Sequence, residues 1–157
     1  MYFYLNIIHR CILTYMGQAQ SKQYNFEDVQ QIIKNNNKNT VIVNVLPDYE
    51  QNCLIKNTLN IKHEINTINE LLKTNKSINI IVYGRNHSDI NVEKKHKQLV
   101  SLGFYNVFVY RGGLFEWLTL QDIYGRDEFP TTSDELDLLK FKPPSYLNNN
   151  LLTNGID

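Results

Sequence analysis

The stretch INIIVYGRNHSDI, Ile78 to Ile90, passes from a β-branched apolar run into small and polar residues and then into a helical pattern. A loop that leaves a strand and closes on a helix N-terminus presents backbone N–H groups suited to an anion, and open α/β sheets hold their ligands at such loops. The loop carries Gly84, Arg85, Asn86, His87, Ser88 and Asp89. Arg85 can hold an anion against the loop amides, which makes it the candidate for an anion-binding sensor; a solvated loop arginine is the alternative. His87, Ser88 and Asp89 have the residue types of a nucleophilic trio, but three consecutive residues cannot face one another as base, nucleophile and orienter. Ser88 or Asp89 is instead placed to cap the helix that follows. Outside the loop, Cys53 is the one cysteine in the patterned part of the chain and the candidate nucleophile. No histidine stands beside it in the sequence, and a buried structural thiol is the competing reading.

The elements that would position these residues are legible from periodicity. In NFEDVQQIIKNN, Phe26, Val29, Ile32 and Ile33 share a helical face with Asn25 as N-cap. Asn39 to Leu46 is a β-branched run ended by Pro47 and Asp48, and Asn57 to Ile61 is read as a brief second strand. Ile65, Ile68, Leu71 and Leu72 mark a helix, and Ile78 to Tyr83 a further strand. Val92, Leu99, Val100 and Leu102 mark a second helix stopped by Gly103. Asn106 to Tyr110 is the last strand, and Gly112-Gly113 leads into a helix bearing Leu114, Trp117, Leu118 and Gln121, with Trp117 assigned to the core. SDELDLLKF adds a short helix with Ser133 as its cap. Strands that alternate with helices define an α/β domain whose parallel sheet is covered on both faces.

A chain of 157 residues suits one domain. Sixteen basic and sixteen acidic residues cancel, and neither half of the chain is strongly one-signed. Neither a nucleic-acid groove nor a polybasic membrane patch is therefore expected. The run Glu93 to Lys97, EKKHK, is read as the solvated face of its helix. Cys11 and Cys53 lack C-x-x-C or His/Cys spacing, which argues against a disulfide framework and a zinc site and for a reducing, cytoplasmic location. No metal or cofactor is expected.

VIVNVLPDYE, LIKNTLNI, INIIVYG and LVSLGFYNVFVYRGGLFEW, in that order, resemble the landmarks of a single rhodanese-like domain. The last is the most specific: a helix ending in Leu-Gly-Phe, a strand beginning Asn-Val, then Gly-Gly before an aromatic-rich helix. The resemblance implies a parallel five-stranded sheet flanked by helices, and a catalytic cysteine directly after the strand's tyrosine that carries sulfur as a persulfide. Gly84 occupies that position here. Other departures accompany it. A loop glycine of the family corresponds to His87, a position often held by arginine corresponds to Asp89, and the family's Asp and Arg upstream correspond to Asn44 and Leu46. The resemblance thus implies a member that has lost sulfurtransferase activity and acts by binding another protein, with the loop as a docking surface. Two alternatives stay open: a sulfurtransferase or redox enzyme that uses Cys53, and the anion sensor at Arg85.

The expected boundaries are an N-terminal extension over 1–23, the rhodanese-like domain over 24–129, and a partly disordered C-terminal extension over 130–157. MGQAQSK, from Met16, fits the N-myristoylation pattern with Gly17 as acceptor if translation starts at Met16. The protein would then attach to a membrane peripherally, since one lipid chain binds reversibly. PPSY, with Pro143, Pro144 and Tyr146, has the form read by WW domains, which makes such a domain a candidate partner.

Overall fold

The computed structural model of the chain describes residues 21–145 and 147. Among these, β1 (Lys22–Tyr24), β2 (Thr40–Asn44), β3 (Asn79–Tyr83) and β4 (Asn106–Tyr110) form one parallel sheet in the order β1-β4-β3-β2. The helices α1 (Phe26–Lys34), α2 (Ile61–Thr74), α3 (Ile90–Ser101) and α4 (Gly113–Tyr124) alternate with them.

The two central strands run apolar on both faces, as strands covered by helices on each side must. Ile42, Ile81, Tyr83 and Tyr110 face one way and pack with Val29 and Ile33 of α1 and Leu114, Trp117 and Leu118 of α4. Val43, Ile80, Val82, Val107 and Val109 face the other way and pack with Ile68 of α2 and Val92 and Leu99 of α3. Trp117 is wholly buried, edge-on to Tyr110 and Phe129, and its Nε1–H donates to Pro130 O at 3.3 Å. Burying one such side chain contributes about 1.5–3 kcal/mol.

The sheet has four strands where five were expected. Asn57 to Ile61 forms a single bridge, Ile42 to Thr58, and no strand. Asn57 sits at φ +66°, and the Asn60 side chain accepts from Lys62 N at 2.9 Å, so α2 begins at Ile61. An asparagine N-cap here outweighs the strand character of Leu59 and Ile61. Conversely, Lys22 and Gln23 of β1 lie in the segment read as an extension. The residues of β1 pair with Phe108 to Tyr110, and the Tyr24 ring stacks on Phe108 at 4.1 Å between centroids.

The chain after Phe129 is joined to the domain. Ile55 and Thr131 form an antiparallel bridge, Lys56 N donates to Pro130 O at 3.0 Å, and Thr132 N donates to Leu54 O at 2.8 Å. The helix expected after a Ser133 cap does not form, because Ser133 Oγ donates instead to Asn52 O at 2.8 Å; only a 3-10 turn, Leu138–Phe141, follows. Phe141 is buried against the core. Met16, Gly17, Tyr146 and residues 148–157 lie outside the described residues. No helix among the described residues is long and apolar enough to cross a membrane.

Candidate functional site

The loop Gly84 to Asp89 leaves the C-terminal end of β3 and enters α3, where its position predicts a ligand. Two backbone relationships hold it there. Val45 N donates to Tyr83 O at 3.0 Å, and the first turn of α4 closes from the other side, with Leu114 N on Gly84 O at 2.9 Å and Phe115 N on Arg85 O at 2.8 Å. Gly113 makes this approach possible. It has φ +64°, and a Cβ there would lie 2.6 Å from Gly84 O and 2.8 Å from Asn86 N. Backbone against backbone leaves no room to yield.

Within the loop, side chains of the loop itself take up the N–H groups that would face a ligand. Asp89 caps α3 by accepting from Asn91 N at 3.1 Å, and its other oxygen reaches back to Arg85 N at 3.0 Å. Asn86 Oδ1 accepts from Ser88 N at 3.0 Å and from Ser88 Oγ at 2.8 Å. Gly84 completes the arrangement. A Cβ on it would meet Asp89 Oδ2 at 2.4 Å and Val92 Cγ2 at 2.8 Å. The carboxylate therefore occupies the volume that a side chain at position 84 would enter, and Asp89, rather than Ser88, is the helix cap. His87 is exposed, Ser88 is turned toward Asn86, and Asp89 is engaged with the two amides, so the three do not converge.

Arg85 is held as half of an ion pair. Its Nε donates to Glu50 Oε2 at 2.7 Å and an Nη to Glu50 Oε1 at 2.5 Å, with Tyr49 Oη 3.3 Å away. The bidentate carboxylate raises the guanidinium's pKa and supplies the negative charge that an external anion would otherwise bring. Glu50 was not read as a site residue. It arrives through the 3-10 turn Asp48–Glu50 after β2, a long-range contact without a local signature.

The two upstream departures also have structural duties. Asn44 is buried, accepts Leu46 N at 3.0 Å and Gln51 Nε2 at 2.8 Å, and so closes the turn after β2. Leu46 is a core residue beside Cys53 and Leu54. Cys53 is 2 % exposed, and its Sγ donates to Ser133 O at 3.2 Å. Burial pushes its thiol pKa up, so the neutral form dominates near pH 7. Tyr83, fully buried, accepts Ile55 N at 3.2 Å and bonds Thr58 Oγ1 at 3.0 Å, fixing the segment beside Cys53 to the end of β3. Among the described residues no cluster of histidine, cysteine and carboxylate side chains could hold a metal ion.

An open depression of about 540 Å³ lies over the loop, and the C-terminal segment forms part of its wall. Arg85, Ser88 and Asp89 line one side, while Lys140, Lys142 and Pro144 line another. Asn86 ties the two together, donating from Nδ2 to Phe141 O at 2.7 Å. The position of Asn86 between loop and tail was also not read from sequence.

A parallel α/β sheet with its site loop after β3 and a glycine-mediated docking of α4 on that loop defines a class of small single-sheet domains. The model of the rhodanese-like domain family matches residues 17–120, and the chain belongs to that family. The match begins ahead of β1 and ends within α4. Among solved structures, a Bacillus halodurans protein is similar with a TM-score of 0.55 and 20% identity, covering 74% of this chain and 82% of that one. A single-domain sulfurtransferase of Saccharomyces cerevisiae has a TM-score of 0.53 and 19% identity, with coverage of 68% and 96%. The rhodanese-like domain of an Anabaena protein has a TM-score of 0.52 and 22% identity, with coverage of 80% and 87%. These likenesses establish the fold. No curated protein matches the chain.

Proposed function

We propose that this rhodanese-like domain carries no sulfur in its loop and acts as a protein-binding or regulatory module. The observation that carries the reading is the pairing of Gly84 with Asp89: the position where the family places its nucleophile has no side chain, and a carboxylate fills the adjoining space. Sulfur transfer by the family's route needs a thiolate stabilised by loop amides. Here Arg85 N and Asn91 N already bond a fixed negative group. The Saccharomyces neighbour, similar in fold, is a sulfurtransferase, and the present reading gives this chain the fold without that activity.

Three further features support the reading. Arg85 is neutralised by Glu50, which weakens the case for an anion sensor. Cys53 lies in the core with a raised thiol pKa, which weakens the case for a displaced persulfide carrier. The exposed rim around the loop, with Tyr49 77 % exposed and Ile90 65 % exposed, retains the aromatic and apolar character of a contact surface.

The deciding experiment is an assay of the purified full chain for thiocyanate formation from thiosulfate and cyanide. Production at background level is expected. Turnover above background that is lost in Cys53→Ala would replace this reading with the enzyme that uses Cys53.

A further inference from the structure

The charges that cancel along the chain do not cancel across the sheet. Helices α2 and α3, on one face, carry five lysines and three glutamates, whereas α1 and α4, on the other, carry four carboxylates and one lysine. The molecule is electrically neutral overall and divided by face.

On the basic face α2 and α3 flank a groove of about 720 Å³. Its α2 side is an apolar stripe, Ile61, Ile65 and Ile68, at the spacing of one helical face, and its α3 side ends on Leu102. Ile65 is 73 % exposed and Leu102 43 % exposed, so two large apolar side chains stand in water along one channel. The groove is bridged by the pair Lys95 to Glu64 at 2.7 Å, whose side chains are mostly buried. Lys94, which also lines the groove, forms no ion pair among the described residues. The α3 side runs from Asn91 to Leu102, a rise of about 16 Å, or roughly three helical turns.

We infer that the α2/α3 groove is a docking site for an acidic amphipathic helix of a partner protein, about three turns long. Its apolar side chains would cover Ile65 and Leu102, and a carboxylate would meet Lys94, the groove lysine left outside the Lys95–Glu64 pair. Helix-in-groove recognition uses apolar anchors at this spacing, and the complementary charge sets orientation and partner choice. The inference rests on the reading of the chain as an interaction module but uses a surface other than the loop.

A labelled peptide of about 14 residues tests it, with leucines on one helical face, glutamates flanking them and alanine elsewhere. Its counterpart has lysine for every glutamate. In anisotropy titrations the full chain is expected to bind the acidic peptide about tenfold more tightly than the basic one. Ile65→Ser, at an exposed position where folding is retained and checked by circular dichroism, should weaken the acidic peptide about fivefold, and Lys94→Glu should reverse the charge preference. Absence of saturable binding, equal binding of both peptides, or indifference to Ile65→Ser would overturn the docking site. Any of those results leaves the loss of sulfur transfer standing, which thiocyanate formation alone would refute.

Discussion

Gly84 and Asp89 occupy one volume between them: a Cβ on the glycine would lie 2.4 Å from Oδ2 of the aspartate. The same carboxylate caps α3 and bonds Arg85 N. Absence of a side chain at 84 and presence of a carboxylate at 89 are therefore one structural arrangement. Gly84→Ala should expel the carboxylate from both amides and cost about 2 kcal/mol, about half from the lost cap and unpaired N–H and the rest from crowding against Val92. Once Asp89→Ala has removed the carboxylate, Gly84→Ala should cost about 1 kcal/mol less, the remainder arising from Val92 Cγ2 at 2.8 Å. Urea unfolding of the two single variants and the double variant measures the coupling. Strict additivity would show that the residues act independently.

The same geometry predicts a pKa. In Gly84→Cys the introduced thiol stands against a carboxylate, which disfavours the thiolate. Adding Asp89→Ser removes the repelling charge and leaves the α3 N-terminus to favour the anion. Ultraviolet titration of the thiolate should place the double variant's pKa below that of Gly84→Cys by about one unit or more. Equal values would mean that the aspartate has no electrostatic hold on position 84.

Much of this architecture is legible in the sequence, and the exceptions have identifiable causes. Ile78 to Tyr83 followed by a polar loop reads correctly because a strand apolar on both faces has little alternative but a covered sheet. Lys22 to Tyr24 does not read as a strand: it has three residues at a half-exposed edge, and its main side-chain anchor is Phe108, distant in the chain. Asn57 to Ile61 reads as a strand from Leu59 and Ile61, yet Asn60 in the cap position carried the opposing signal. Arg85 shows the same limit at the site. Its residue type suggests anion binding, and only the fold reveals that Glu50 already satisfies it.

That ion pair yields a prediction for binding. Glu50→Gln removes the internal anion while keeping hydrogen-bonding capacity, so Arg85 is left with an unmatched positive charge beside the loop. The guanidinium side chain is 37% exposed, and solvent screening limits the loss of stability to about 0.5–1 kcal/mol. Sulfate should leave the melting temperature of the unmodified chain unchanged apart from its general salting effect, and should raise that of Glu50→Gln further at equal ionic strength. An identical response of both proteins would argue that Arg85 cannot reach an external anion.

Cys53 supplies a pH dependence. Its thiol pKa is raised in the folded state, chiefly by burial, so the folded chain binds the proton more tightly than the unfolded one. The resulting stability is present in full below the unfolded thiol's pKa of about 8.5, and is lost as pH rises from there through the folded value. Cys53→Ala should flatten this alkaline decline in urea unfolding. Peptide mapping after iodoacetamide treatment should show Cys53 unmodified in the folded protein at pH 7 and modified after unfolding. Rapid alkylation of the folded chain would show that the thiol is accessible and reopen its chemistry.

The C-terminal segment is the remaining support of the loop. Phe141 is 1 % exposed in the core shared with Trp117, and its carbonyl accepts Asn86 Nδ2 at 2.7 Å. Phe141→Ala should cost about 3 kcal/mol through the cavity it leaves. Asn86→Ala should cost about 1–3 kcal/mol, because it removes the acceptor of Ser88 N and Oγ as well as the donor to Phe141 O. The two effects differ in kind. Loss of the ring weakens the core on the α1 and α4 face, whereas loss of the amide loosens the loop from the tail while the core stays packed. Hydrogen exchange should therefore show faster exchange of loop and tail amides in Asn86→Ala with the β3 and β4 amides still protected. Equal acceleration throughout the sheet would mean that loop and tail are held by the general packing of the domain and that the Asn86 contact has no separate role.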